Sequence, residues 1–148
     1  MSMAAQVLLG TSFLILCTLV HVGIVAATVP LVARFAARLK HRGKLIRTTV
    51  LLSLTVFGIV LAHAIQIWTW AFVFKFVGLF PDIQTSFYFA TVTYTTLGYG
   101  DIVLGEGLRI FATFGAITGL LTFGISTAFL IGVIGRILPA EDQGHKML

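Results

Sequence analysis

The chain has 148 residues, of which 58% are hydrophobic and 10% charged, with a net charge of +5 and a mean hydropathy of +1.04. An ordinary soluble domain carries about 25% charged residues. Ten basic and five acidic side chains cannot clothe a water-soluble surface at this length. That excludes a soluble globular domain, a nucleic-acid-binding module and a disordered tail, and points to a membrane protein with little mass outside the bilayer.

The first uncharged run extends from Met1 to Ala33. About 20 apolar residues suffice to cross a hydrocarbon core of about 30 Å, so residues 1–33 predict a transmembrane helix, from about Ala4 to Val32, with Pro30 near its inner end. The run lacks a basic leader and is too long for the apolar core of a cleavable signal. Its single cysteine, Cys17, reads as a small packing residue. Six of the ten basic residues then cluster at Arg34, Arg38, Lys40, Arg42, Lys44 and Arg47. Residues 34–47 are expected to form a cytoplasmic loop by the positive-inside rule, which puts the N-terminus outside and the C-terminus in the cytoplasm. The arginines at four-residue spacing lie at the edge of the membrane field, so no voltage sensor is assigned. The cluster has no interleaved aromatics; it reads as a topology signal with attraction to anionic lipid headgroups over Arg34–Arg47, and not as a nucleic-acid site.

Thr48 to Phe74 is the second uncharged run and predicts a helix from about Leu45 to Val77. Trp68, Trp70, Phe72, Phe74 and Phe76 near its outer end read as interfacial anchors. His63 in this helix and His21 in the first fall at comparable depth. Their sharper reading is a pH sensor or metal pair; the plainer and favoured one is neutral histidine bonded to a hydroxyl or backbone oxygen of a neighbouring helix. Leu79 to Asp82 turn the chain, and Asp82 is the candidate N-cap of a short helix over 83–95. At about 20 Å this helix is too short to cross, and the polar run Ile83 to Gly100 is read as re-entrant. A third span, 108–137, contains Gly115 and Gly119 in a GxxxG arrangement. Residues 138–148 form a short tail.

The chemistry lies in Thr95-Thr96-Leu97-Gly98-Tyr99-Gly100-Asp101, directly after the short helix. A dehydrated cation needs several oxygens in place of its water shell, and an extended strand supplies them if successive carbonyls face one axis. Some positions then need φ > 0, which Gly98 and Gly100 adopt without strain. Thr96 adds a hydroxyl at the inner end, Tyr99 is expected to face away and brace the strand, and the short helix aims the negative end of its dipole at the pore centre.

The segment Phe87 to Asp101 resembles the pore helix and selectivity filter of tetrameric potassium channels, commonly T-V-G-Y-G-D. Leu97 stands where valine is usual, Tyr88-Phe89 where many members carry Trp-Trp, and Val92 where some bacterial members carry a buried glutamate. Gly119-Leu120-Leu121-Thr122-Phe123-Gly124 resembles the inner helix, with Gly119 at the gating hinge and Leu120, Phe123 and Thr127 facing the cavity. At 100° per residue, Leu120, Phe123, Thr127, Ile131 and Ile134 also share one stripe about 80° wide. The resemblance covers residues 48–136 and leaves the first helix as a peripheral addition, as in bacterial one-pore channels with three spans.

It implies an all-α integral membrane protein with three spans, a pore helix at 83–95, a filter at 96–100, an inner helix at 108–137 and a pore domain over 48–137. It also implies K+ coordination at Thr96, Leu97, Gly98 and Tyr99, an outer-mouth role for Asp101, a bacterial inner-membrane location and passive K+ flux through a homotetramer, since each chain holds one filter strand. No cofactor beyond permeant K+, no organic substrate and no enzymatic activity is expected: no P-loop, zinc spacing, nucleophile elbow or carboxylate pair is present. The alternatives are a non-conducting regulatory or assembly subunit and a poorly selective monovalent cation channel.

Overall fold

The structure is a computed structural model and describes residues 2–137; the tail expected at 138–148 lies outside the described residues. Four helices follow in chain order: α1 (Met3–Arg38), α2 (Lys44–Phe76), α3 (Ile83–Tyr94) and α4 (Arg109–Ile137). The described residues contain no strand. α1, α2 and α4 are each long and apolar enough to cross a membrane. At 36, 33 and 29 residues they would run about 54, 50 and 44 Å. α3, with 12 residues, is about 18 Å long.

The ends are set locally. Ser2 caps α1 by accepting from the Ala5 N–H at 3.3 Å. The helix continues through Pro30 to Arg38, and α2 begins at Lys44. The basic segment is therefore not the loop expected over 34–47: Arg34 and Arg38 lie on the last turns of α1, Lys44 and Arg47 on the first turn of α2, and only residues 39–43 turn the chain. Leu, Ala and Arg are strong helix formers, and Arg38 at a helix C-terminus complements the dipole, so the helix outlasts the apolar run. α2 closes with Gly78 at φ 75°. The Leu79 N–H donates to Phe74 O at 3.0 Å and the Gly78 N–H to Lys75 O at 3.1 Å, the paired bonds of a left-handed C-terminal cap.

α3 packs on α2 and α4, and α1 packs on α2 and α4. The buried side of α4 consists of small and hydroxyl residues with one aromatic: Phe111, Ala112, Gly115, Thr118, Gly119, Thr122 and Ser126. Leu120, Leu121, Ile117 and Ile131 point outward. This inversion of the soluble pattern suits a bilayer, where lipid is as apolar as leucine and close backbone approach drives packing.

The aromatic end of α2 divides between two faces. Trp70 and Phe74 are fully buried in a cluster with Ala71, Ala90, Tyr94, Phe111 and Ala112, and Phe13 of α1 meets Trp70 edge-on at 4.9 Å. Trp68, Phe72 and Phe76 are exposed. Interfacial anchoring thus fits only the second set; residues four apart share a helical face, and 70 and 74 face inward.

Polar contacts join α1 to the other spans. Gln6 Oε1 accepts from the Phe111 N–H at 3.3 Å, which satisfies a donor in the first turn of α4. Gln66 Nε2 donates to Cys17 O at 2.8 Å. Cys17 itself is buried and free, in keeping with a packing role. α1 is an integral wall of the bundle.

Candidate functional site

The short helix is fixed at both ends. Asp82 caps its N-terminus: one carboxylate oxygen accepts from the Thr85 N–H at 2.7 Å and the other from the Thr85 hydroxyl at 2.9 Å. These bonds hold the Asp82 carboxyl below its usual value, the backbone bond to Thr85 first among the causes. At the other end the Leu97 N–H donates to Val92 O at 3.0 Å and the Thr96 N–H to Thr93 O at 2.9 Å. This is the pair of bonds that closes α2, so Thr96 stands where Gly78 stands there. Accordingly Thr96 has φ 58°, the only described non-glycine residue with a positive φ. Glycine is the usual occupant of this position, and a β-branched residue there is strained.

From this cap the strand proceeds with alternating sign: Thr96, Gly98 and Gly100 have positive φ, at 58°, 53° and 77°, whereas Leu97 and Tyr99 do not. Alternation between the two hands turns successive peptide units the same way, so like groups gather on one side of the chain. Among the described residues no N–H or hydroxyl donates to the carbonyl oxygens of Thr96, Leu97, Gly98 or Tyr99. A Cβ added at Gly98 or Gly100 would meet nothing within 4 Å; within one chain these glycines are required by backbone angle, not by space.

Tyr94, the last residue of α3, anchors the cap. It is fully buried, and its hydroxyl lies 2.7 Å from Thr122 Oγ1 of α4 and 2.9 Å from His63 Nδ1 of α2. Its backbone lies directly on Gly119: a Cβ built there would overlap the Tyr94 carbonyl oxygen. α4 runs unbroken through Gly119, so this glycine is required by close approach whatever its part in bending. Its partner in the GxxxG, Gly115, has only ordinary contacts with Thr93, Trp70 and Phe74.

The two histidines meet. Their ring centroids are 4.8 Å apart. His21 Nε2 lies 2.9 Å from Ser126 Oγ, and the His63 ring stacks on Phe123 at 4.3 Å. Each imidazole therefore bonds a hydroxyl of another helix, and His21 Nδ1 and His63 Nε2 are buried without a partner. No group of three or more metal-ligating side chains occurs among the described residues.

A family model described as an ion channel matches residues 49–136. The chain belongs to the potassium-channel pore-domain family. It is 39% identical over 72 residues to the human potassium voltage-gated channel subfamily A member 6 and 32% identical over 68 residues to subfamily A member 2 of Xenopus laevis. In both cases 45% of this chain is covered; it spans 14% of the length of these relatives. No solved structure matches. The chain is an integral membrane protein with an ion-channel domain over residues 49–136.

The channel's expected site residues fall in distinct surroundings. Thr96 to Gly100 are exposed in the single chain, with Leu97 at 54% and Tyr99 at 66%, so the bracing expected of Tyr99 is not supplied from within its own chain. Behind the strand a groove of about 490 Å³ runs between Trp68, Phe87, Tyr88 and Thr91 on one side and Leu97 and Tyr99 on the other. Asp101 accepts from the Tyr88 hydroxyl at 2.6 Å, tying the strand's outer end to α3. Glu106 lies 3.8 Å from Arg109 as an exposed pair. On α4, Leu120 (69% exposed), Ile131 (65%), Phe123 (42%) and Thr127 are open to the outside of the chain, and Ile134 is half-buried.

Sequence reasoning missed the Tyr94, Thr122 and Ser126 hydroxyls and the left-handed Thr96. A usable signal existed for the α4 residues: small and hydroxyl side chains recur at 115, 118, 119, 122 and 126, the spacing of one helix face.

Proposed function

We propose that the chain is one quarter of a potassium-selective channel, with four copies around an axis lined by Thr96, Leu97, Gly98, Tyr99 and Gly100. The observation that carries this reading is the strand itself, whose φ alternates in sign while its carbonyls receive no donor among the described residues. An unsatisfied carbonyl in the hydrocarbon region costs several kcal/mol. A partly dehydrated cation offsets that cost, and rings of such carbonyls replace its hydration shell. The names of the relatives, both potassium channels, favour K+ as the cargo; their voltage gating is not carried over.

In this reading residues 48–137 form the pore domain, with outer helix, pore helix 83–95, filter 96–100 and inner helix 108–137, and residues 1–33 are an added helix. K+ moves passively and no cofactor is needed. Leu120, Phe123, Thr127 and Ile131 line the cavity. The adjoining outward residues Ile117, Leu121, Gly124 and Ala128 face the neighbouring copy, and the groove behind the strand receives a neighbour's side chains. Gly119 is the hinge at which the inner helix pivots on the end of the pore helix, and Asp101 sits at the outer mouth. The basic end of the bundle faces the cytoplasm, with the N-terminus outside, by the positive-inside rule.

The test is flux from proteoliposomes of purified protein. A K+ flux that exceeds Na+ flux and is blocked by barium is expected. Equal permeability to Na+ and K+ would leave a cation channel without the selectivity, and no flux from a well-folded tetramer would favour a non-conducting assembly subunit.

Proton sensing by His21 and His63 is a second, subordinate reading, favoured by their contact and by the bond from His63 to Tyr94 at the base of the filter. It is tested by the proton dependence of the current; a curve unchanged in His63→Phe ends the idea.

A further inference from the structure

The end of the bundle opposite the filter contains a cleft that ion conduction leaves unused. α1, α2 and α4 part there around a cavity of about 460 Å³, within the range of ligand pockets. Its walls include Val29, Val32, Leu51, Phe129 and Val133, and Arg47 and Arg136 are the charged residues that line it. The two arginines come from different helices, one on the first turn of α2 and the other on the last turn of α4, and both are exposed.

Neither arginine has a carboxylate partner among the described residues. The acids there are Asp82, Asp101 and Glu106, all in the segments around α3 and the filter, and the ion pair formed is Glu106 with Arg109. The side chains that wall the cleft are otherwise apolar, so its interior offers water few of the polar partners a buried water needs. The two features call for one kind of ligand, an apolar tail joined to an anionic head. A free anion would leave the cleft unfilled, and a neutral lipid would leave the guanidiniums unmatched.

We propose that this cleft binds an anionic phospholipid, with an acyl chain between α1, α2 and α4 and the phosphate between the guanidiniums of Arg47 and Arg136. Paired arginine donors suit phosphate oxygens. The site differs from diffuse attraction to the basic segment because it uses Arg136, distant in sequence, and because it has an apolar floor. It gives α1 a role, since α1 supplies one wall. The bound lipid ties the inner helix to the two other spans near its end. The proposal rests on membrane placement and not on ion selectivity, so it stands or falls independently of the flux experiment.

The experiment titrates the purified full chain in neutral detergent with dioleoylphosphatidylglycerol, dioleoylphosphatidylcholine or soluble glycerophosphate, reading retained lipid by native mass spectrometry and the thermal unfolding midpoint. Phosphatidylglycerol should be retained and raise the midpoint; the other two should not. Arg47→Gln with Arg136→Gln should weaken phosphatidylglycerol binding by about 30-fold, two charges at about 1 kcal/mol each. Arg38→Gln with Arg42→Gln, which removes two charges from the same end but outside the cleft, should leave it within about twofold, well inside the scale of one such charge. Gly132→Leu, which fills the cleft and keeps both arginines, should also abolish retention. The Arg47→Lys, Arg136→Lys pair keeps the charge and should keep the preference, which separates loss of binding from loss of folding. Equal loss in the two glutamine pairs, undiminished binding in the cleft pair, or an equal effect of glycerophosphate would overturn the site.

Discussion

Replacing Thr96 by glycine should stabilise the end of α3 while removing the hydroxyl proposed as the innermost ion ligand. Thr96 holds φ 58° at the position where α2 uses Gly78 at φ 75°, and both caps are closed by the same two backbone bonds. The left-handed conformation costs a non-glycine residue about 1–2 kcal/mol. Glycine removes that strain but returns about 0.4–1 kcal/mol through the greater freedom of the unfolded chain. The balance is a gain of about 0.8 kcal/mol per chain, which at this chain length raises the unfolding midpoint by about 2–3 °C. The same change deletes a hydroxyl and loosens the strand, so K+ over Na+ selectivity in reversal-potential measurements should fall. Thr96→Ser should retain selectivity, and Thr96→Val should lose it with stability little changed. The strain argument fails if Thr96→Gly lowers the midpoint; the hydroxyl argument fails if Thr96→Gly stays as selective as the parent.

Gly119→Ala places a methyl group on the Tyr94 carbonyl oxygen and should displace the pore helix, lowering stability by about 1–3 kcal/mol as overpacking does, whereas Gly124→Ala enters open space and should be tolerated; equal midpoints for the two variants would contradict the close contact. Tyr94→Phe removes the hydroxyl from both Thr122, which keeps its bond to Thr118 O, and His63, whose Nδ1 loses its partner, and should cost about 1–3 kcal/mol, read from thermal unfolding. Asp82 titrates below its ordinary value in the fold, so its cap contributes fully above the usual carboxylate range and is lost as pH falls through the folded value. The parent should therefore lose stability on acidification more steeply than Asp82→Asn, and parallel unfolding profiles would show that the cap does not contribute.

Much of the segment from Asp82 to Gly100 is legible in the sequence alone. Asp82 reads as a cap because an aspartate directly after Pro81 can accept from the first free N–H groups of the segment that follows, and Gly98 and Gly100 mark left-handed backbone because no other residue adopts it cheaply. The glycines at 115 and 119 look alike in sequence, yet only Gly119 meets a carbonyl oxygen, because there the α3 backbone itself comes against α4, whereas Gly115 meets α3 only through the Thr93 side chain. Trp70 and Trp68 look alike too, and helix rotation buries one and exposes the other. Thr96 hides its left-handed conformation because a β-branched residue rarely adopts it.

The sequence by itself determined which three segments are long and apolar enough to cross a bilayer, the cap at Asp82 and the positive φ of Gly98 and Gly100. These follow from local costs: a charge in hydrocarbon, an unsatisfied helix end, a side chain at positive φ. Only the tertiary structure decided which faces of the helices meet, and with them the contact of His21 with His63, the Tyr94 hydroxyl bridge, the wall that α1 supplies and the cleft between Arg47 and Arg136. The physical reason is the solvent. In a bilayer the outward face of a span is as apolar as a packed core, so the contrast that marks a buried face in water is missing, and helix rotation is set by small residues and single hydrogen bonds whose partners lie far away in the chain.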